Sequence, residues 1–257
     1  MFLKRLRDNR KSLLIWCLLL ILMYAAVFLI YPSIMENTAG NINALLEAFP
    51  PELLDAFNMT DIATPAGWVT SEGMVMLLLC GAIYSAQLGG SCVYLEKKEG
   101  TIEFLAARPV TRSRILGSKA LADILCITIF AVANSASLLI GLALSDDLRF
   151  SVMAQVTLSP ILVFLMFYAL TLLLSILFGG GSSLTLGLPF GLYILVILAK
   201  LTEKVEFLRY CTPYTLSDTA AILKNGGMRG WIWALGLALF LFLLGGSLWA
   251  YNRTESL

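Results

Sequence analysis

Six runs of apolar residues, each close to the length a helix needs to cross a bilayer, decide what this chain can fold into. A hydrocarbon core about 30 Å thick is spanned by about 20 apolar residues at helical rise. The runs at residues 12–31, 73–94, 120–144, 151–178, 184–199 and 231–251 meet or approach that length, the fifth being the shortest. With 59% hydrophobic and 14% charged residues and a mean hydropathy of +0.84, the chain has too little polar surface for a soluble domain. The predicted fold is an all-α integral membrane protein. It is a single domain of six transmembrane helices, with a cytoplasmic amphipathic helix and short extracellular helices. Trp231 and Trp233 at one end of the last run, and Trp249 and Tyr251 at the other, are placed as interfacial aromatic anchors.

Basic residues orient the bundle. Lys4, Arg5, Arg7, Arg10 and Lys11 precede the first run, which is too long for a signal h-region and lacks a small-residue cleavage site at Tyr31-Pro32-Ser33. It reads as a retained helix. Lys97, Lys98, Arg108, Arg112, Arg114 and Lys119 lie between the second and third runs, whereas residues 32–72 carry no Lys or Arg. The positive-inside rule then puts the N-terminus and residues 96–119 in the cytoplasm, and six spans return the C-terminus there. Lys200, Lys204, Arg209, Lys224 and Arg229, in a loop assigned outside, count against this scheme; Glu203, Glu206 and Asp218 partly offset them. In residues 32–72, Ile42, Leu45, Leu46 and Phe49 recur at helical spacing and Pro50-Pro51 open a second short helix over residues 52–57. These are predicted as outer-rim helices.

Several chemistries are excluded. Histidine is absent, which removes the commonest metal ligand and general base. The five cysteines form no CxxC and read as small packing residues. No catalytic or metal-binding cluster emerges, and a membrane-embedded enzyme has nowhere to place its chemistry. No G-x-x-x-x-G-K-[ST] phosphate loop occurs, and Gly179-Gly180-Gly181-Ser182-Ser183 reads as a tight turn between spans four and five. Within the spans the one acidic residue is Asp123, four residues after Lys119, and it reads as an interfacial pair with that lysine. This weakens the alternative of an ion-gradient-driven secondary transporter, which normally carries ionisable residues at mid-membrane. Ser85, Gln87, Asn134, Ser137, Thr171 and Ser175 are candidates to line a pathway. Hydrogen bonding between helices is the plainer reading for them.

The longest charged stretch is EKKEGTIEFLAARPVTRSRILGSK, residues 96–119, with nine charges among 24 residues. Ile102, Leu105 and Ala106 share one helical face. Gly100-Thr101 suits a helix start, Arg108-Pro109 a helix stop, and Thr111 a cap for the helix that enters span three. From the residues alone, a docking helix and a loop that merely sets topology and touches anionic lipid both remain open.

The stretch resembles the signature of permease subunits of the ABC type-2 exporter family. There an acidic residue, Gly-Thr, Glu, an apolar pair and Pro-Val-Ser/Thr-Arg follow the second span. Here these are Glu99, Gly100-Thr101, Glu103, Phe104-Leu105 and Pro109-Val110-Thr111-Arg112. FPPELLDAF and TPAGW in the outer segment resemble one branch of that family, although residues 32–72 are longer than in many members. The resemblance implies that 96–119 is a coupling helix seated in a groove of a cytoplasmic ATPase subunit. Glu99, Gly100, Thr101, Glu103, Phe104, Leu105, Arg108, Pro109 and Arg112 are then the coupling residues. It further implies two ATPase partners that bind ATP and Mg, and a second permease copy or paralogue. The chain would bind no cofactor and no nucleic acid, would contact membrane lipid, and would reside in a bacterial or archaeal cytoplasmic membrane.

Overall fold

The computed structural model describes residues 1–38, 50, 54, 65–98, 111–143, 150–179, 182–201, 207–208, 210–219, 222 and 225–253. The long helices are α1 (Phe2–Thr38), α2 (Met74–Lys98), α3 (Arg112–Ala143), α4 (Phe150–Leu158), α5 (Pro160–Phe178), α6 (Ser182–Leu201) and α7 (Gly230–Arg253). A helical turn, Pro65–Trp68, and a π turn, Val69–Gly73, lead into α2. No strand occurs among the described residues. With α4 and α5 taken as one interrupted span, six helices are long and apolar enough to cross a membrane. The residues assigned to coupling from Glu99 to Pro109 lie outside the described residues, as do the outer helices predicted around 42–49 and 52–57, apart from Leu54.

Helix α1 starts at Phe2, ten residues before the apolar run, and is 37 residues long. At about 1.5 Å per residue it extends about 55 Å, well beyond the hydrocarbon thickness. Helix α3 likewise begins eight residues before its apolar run, at Arg112. The backbone carbonyl of Thr111 accepts from the amides of Arg114 and Ile115, which closes the first turn. The basic flanks of both spans are therefore helical and stand on the end of the bundle where α1 and α3 start. At that end Ser113 of α3 and Asn252 of α7 exchange hydrogen bonds of 3.0 and 2.8 Å.

Close approach of backbones builds the core. Helix α5 packs most extensively on α2, where small residues admit it. A methyl group at Gly89 would lie 2.4 Å from the Tyr168 carbonyl oxygen, and one at Gly81 would overlap the Phe164 ring. In lipid, where apolar burial gives helices no preference for one another, such small-residue seams and the dispersion contacts they permit hold helices together. Phe130 of α3 stacks between Tyr84 and Phe164, with ring centroids 5.0 and 5.8 Å away, and joins α2, α3 and α5 in one aromatic layer. Helix α3 also meets α1 closely, since a methyl at Gly141 would collide with the ring of Phe28.

Pro160 interrupts the fourth span, a break not anticipated from its hydropathy. Proline has no amide to bond the Val156 carbonyl four residues earlier. The hydroxyl of Ser159 takes that role, donating to Val156 at 2.9 Å, and its oxygen shares a 2.6 Å hydrogen bond with Ser217. Ser217 ends a 3₁₀ turn, Pro213–Ser217, packed against α5 at the end opposite the N-terminus. In the same turn the buried Tyr214 hydroxyl donates to the Pro189 carbonyl of α6 at 3.0 Å.

Of the four predicted aromatic anchors, two are at the surface, Trp233 is half-buried and one is buried. Trp231 and Trp249 are each 60% exposed, and Arg253 stacks 4.4 Å from the Trp249 ring centre. Tyr251 is instead buried in the bundle, because α7 turns that side toward its neighbours. Cys92 and Cys126 are buried packing residues, Cys17 and Cys80 are half-buried, and Cys211 is exposed.

The α2–α5 seam makes a direct test. Gly89→Leu is expected to destabilise the fold by roughly 1–3 kcal/mol or more through overpacking. Gly187→Ala on α6, where nothing lies within 4 Å, is expected to change stability by less than about 0.5 kcal/mol. Thermal unfolding of the detergent-purified chain reads both.

Candidate functional site

The helices that flank residues 99–111 are tied together by buried charge. On α1, Arg5 and Asn9 are four residues apart and so share a face; on α3, Lys119 and Asp123 do the same. These two faces meet beside the end of α2, where Leu88, Ser91 and Cys92 lie on successive turns. Asp123 is fully buried and Arg5 is 9% exposed.

Arg5 grips Asp123 with two parallel bonds, Nε to Oδ1 at 2.8 Å and Nη2 to Oδ2 at 3.0 Å. This bidentate fork is the strong, directional form of the interaction. Nη2 also donates to the Leu88 carbonyl at 3.0 Å and to Ser91 Oγ at 3.1 Å. Asn9 Nδ2 donates to Asp123 Oδ1 at 2.7 Å, and the Tyr168 hydroxyl of α5 approaches Oδ2 at 3.4 Å. Lys119 sends its ammonium to the Cys92 carbonyl at 3.0 Å. One carboxylate thus collects donors from α1 and α5, while the cations facing it anchor α2.

This corrects the sequence-based pairing of Asp123 with Lys119. Both project from the same face of α3, but Asp123 is held by Arg5, 118 residues away in the chain, and Lys119 reaches across to α2. A guanidinium supplies two parallel donors to a carboxylate and a third to a backbone carbonyl; an ammonium is a point donor. In the sequence Arg5 is one of five cations before the first span that set topology. The signal that marks it is positional: Arg5, Asn9, Leu13, Trp16 and Leu20 recur at helical spacing on the face that α1 buries.

Of the residues assigned to coupling, Arg112 is described. It opens α3 and is half-buried. The candidate pathway residues are all buried or half-buried. Asn134 Nδ2, Ser137 Oγ and Thr171 Oγ1 donate to carbonyls four residues back on their own helices, at 2.7, 2.9 and 2.7 Å. Ser85 and Ser175 are buried with no hydroxyl partner, and Gln87 is half-buried. Ser135 Oγ, by contrast, crosses between helices, donating to the Thr157 carbonyl of α4 at 2.6 Å.

A family model described as ABC-2 family transporter protein matches residues 2–220. That range takes in the buried charge cluster and both helices beside residues 99–111. Comparison with curated proteins and with solved structures finds no match.

Removing one member of a buried pair strands the other charge. Asp123→Ala is therefore expected to lower stability by about 3–5 kcal/mol, and the double change Arg5→Met with Asp123→Leu to restore much of that loss. Thermal melts of the wild type, Asp123→Ala and the double variant in one detergent measure it.

Proposed function

The chain belongs to the ABC-2 transporter family, and from that membership we propose that it is the permease subunit of an ATP-driven exporter. A separate cytoplasmic ATPase would supply the energy. Residues 99–111 connect the end of α2 to the start of α3, the position at which the motif Glu99, Gly100-Thr101, Glu103, Phe104-Leu105 and Pro109 stands. The observation that carries the coupling role is the charge clamp that ties together the two helices on either side of that connection. Arg5 holds both Asp123 of α3 and the Leu88 carbonyl of α2, and Lys119 holds the Cys92 carbonyl.

A stroke delivered to the connection therefore moves the ends of α1, α2 and α3 as one body, and the Ser113–Asn252 contact passes it to α7. Two ATPases closing on ATP and Mg would rock these four helix ends together and switch access across the membrane. A second copy or paralogue of the chain would complete the path. The positive-inside pattern supports a cytoplasmic side for the termini and residues 99–111, and the family resemblance a bacterial or archaeal cytoplasmic membrane. The clamp also speaks against Asp123 as a proton-carrying site, since its carboxylate is already occupied by Arg5 and Asn9.

The test is recovery of the ATPase. The tagged chain, purified in mild detergent from its native host, is expected to bring down a soluble ATPase. Glu103→Ala or Gly100→Pro is expected to reduce that recovery at least severalfold with membrane insertion unchanged. Unaltered recovery with both variants, or no ATPase with folded and abundant wild-type chain, counts decisively against the reading. The pair Arg5→Met/Asp123→Leu is expected to retain the ATPase yet uncouple transport from hydrolysis, measured as hydrolysis without movement of cargo in reconstituted vesicles.

A further inference from the structure

The first turns of α1 have two faces, and the clamp uses one of them. Arg5 and Asn9 point into the bundle. Lys4, Arg7 and Lys11 follow the spacing i, i+3, i+7 on the opposite side, with Arg10 beside them, and all four are exposed. None of the four has a hydrogen-bond or ion-pair partner among the described residues. Asp8 is exposed on the same face and lowers four positive charges to a net three. The stripe then continues without a break into Leu14, Leu18 and Leu22, which are 67%, 59% and 60% exposed. A single helical face thus passes from cationic to apolar within one turn, between Lys11 and Leu14.

We propose that this face is a binding surface for anionic phospholipid, with the headgroup phosphate among Lys4, Arg7, Arg10 and Lys11 and the acyl chains along Leu14, Leu18 and Leu22. From Lys4 to Lys11 the helix rises about 10 Å, enough to cross one headgroup layer of about 5–8 Å. Long basic side chains lay their methylene stems on apolar surface and extend their charge to the interface. An acidic protein surface would satisfy the charges, but it would not account for an apolar continuation of membrane length on the same stripe. Arg5 leaves the same turns on the opposite side. A lipid held on the outer face therefore steadies the segment that carries the clamp.

The test uses the detergent-purified full chain, titrated with phosphatidylglycerol or with phosphatidylcholine of matched acyl chains, and counts bound lipid by native mass spectrometry. Each basic residue near an anionic surface contributes roughly fivefold. The wild type is expected to prefer phosphatidylglycerol by at least about tenfold, and the variant Lys4→Gln/Arg7→Gln/Arg10→Gln/Lys11→Gln to fall to near parity. The variant keeps Arg5, so its melting temperature in neutral detergent should not change. Arg114→Gln/Arg229→Gln should keep the preference.

Loss of the four cations also weakens the topology signal. A second arm therefore uses wild type alone, whose preference should collapse at high salt because exposed charges are screened. Equal binding of the two lipids by wild type, or an undiminished preference in the quadruple variant, overturns the proposal. So does a variant that loses a co-purifying ATPase while wild type shows no lipid preference, which would make the face a protein dock.

Discussion

A carboxylate with no exposure, gripped by a guanidinium that is itself almost buried, is the constraint around which the bundle is arranged. An ion pair of this kind contributes little net stability, because desolvating both partners offsets their attraction. It contributes position. Four helices must bring donors or acceptors to one small region before the charges can be buried at all. Arg5 and Asn9 fix the rotation of α1, Lys119 and Asp123 that of α3, and Leu88, Ser91 and Cys92 the height of α2. Tyr168 adds α5. A register error in any of the first three helices would leave a charge unpaired, so the cluster selects one packing among many that apolar contacts alone would tolerate.

The rest of the core complements that selection by shape. Gly81 and Gly89 let α5 lie against α2, and Phe130 fills the space between Tyr84 and Phe164. Helices α1, α6 and α7 bury only 11%, 11% and 17% of their apolar windows, against 61% for α2 and 67% for the fourth span. Of these three outer helices, α1 is the one that, among the described residues, is tied inward by buried charge, through Arg5 and Asn9.

Much of this architecture was legible in the sequence because hydropathy over 20 residues is a local signal. The six spans and the helix start after Thr111 follow from local rules of length, capping and punctuation. The clamp was not legible, because the pairing of Arg5 with Asp123 depends on how two helices are rotated against each other, which no local pattern specifies. Tyr251 failed for the same reason: an aromatic residue near a span end is placed at the interface by composition but was taken into the bundle by its helical face. The break at Pro160 was present in the sequence as a proline within a span, yet the apolar run on either side masked it. The polar residues within the spans illustrate the reverse. Asn134 Nδ2, Ser137 Oγ and Thr171 Oγ1 donate to carbonyls of their own helices, while Asn134 Oδ1 is buried with no partner among the described residues, so polarity alone does not mark a path.

The arrangement at Pro160 has a consequence for how a proline is tolerated in lipid. A carbonyl that loses its amide partner in hydrocarbon costs several kcal/mol unless another donor replaces it. Here the freed carbonyl of Val156 holds the Ser159 hydroxyl, whose oxygen is in turn bonded to Ser217. The proline is thus accommodated with that carbonyl still partnered, and the fourth span is joined through it to the 3₁₀ turn at the end of the bundle opposite Arg5 and Asp123.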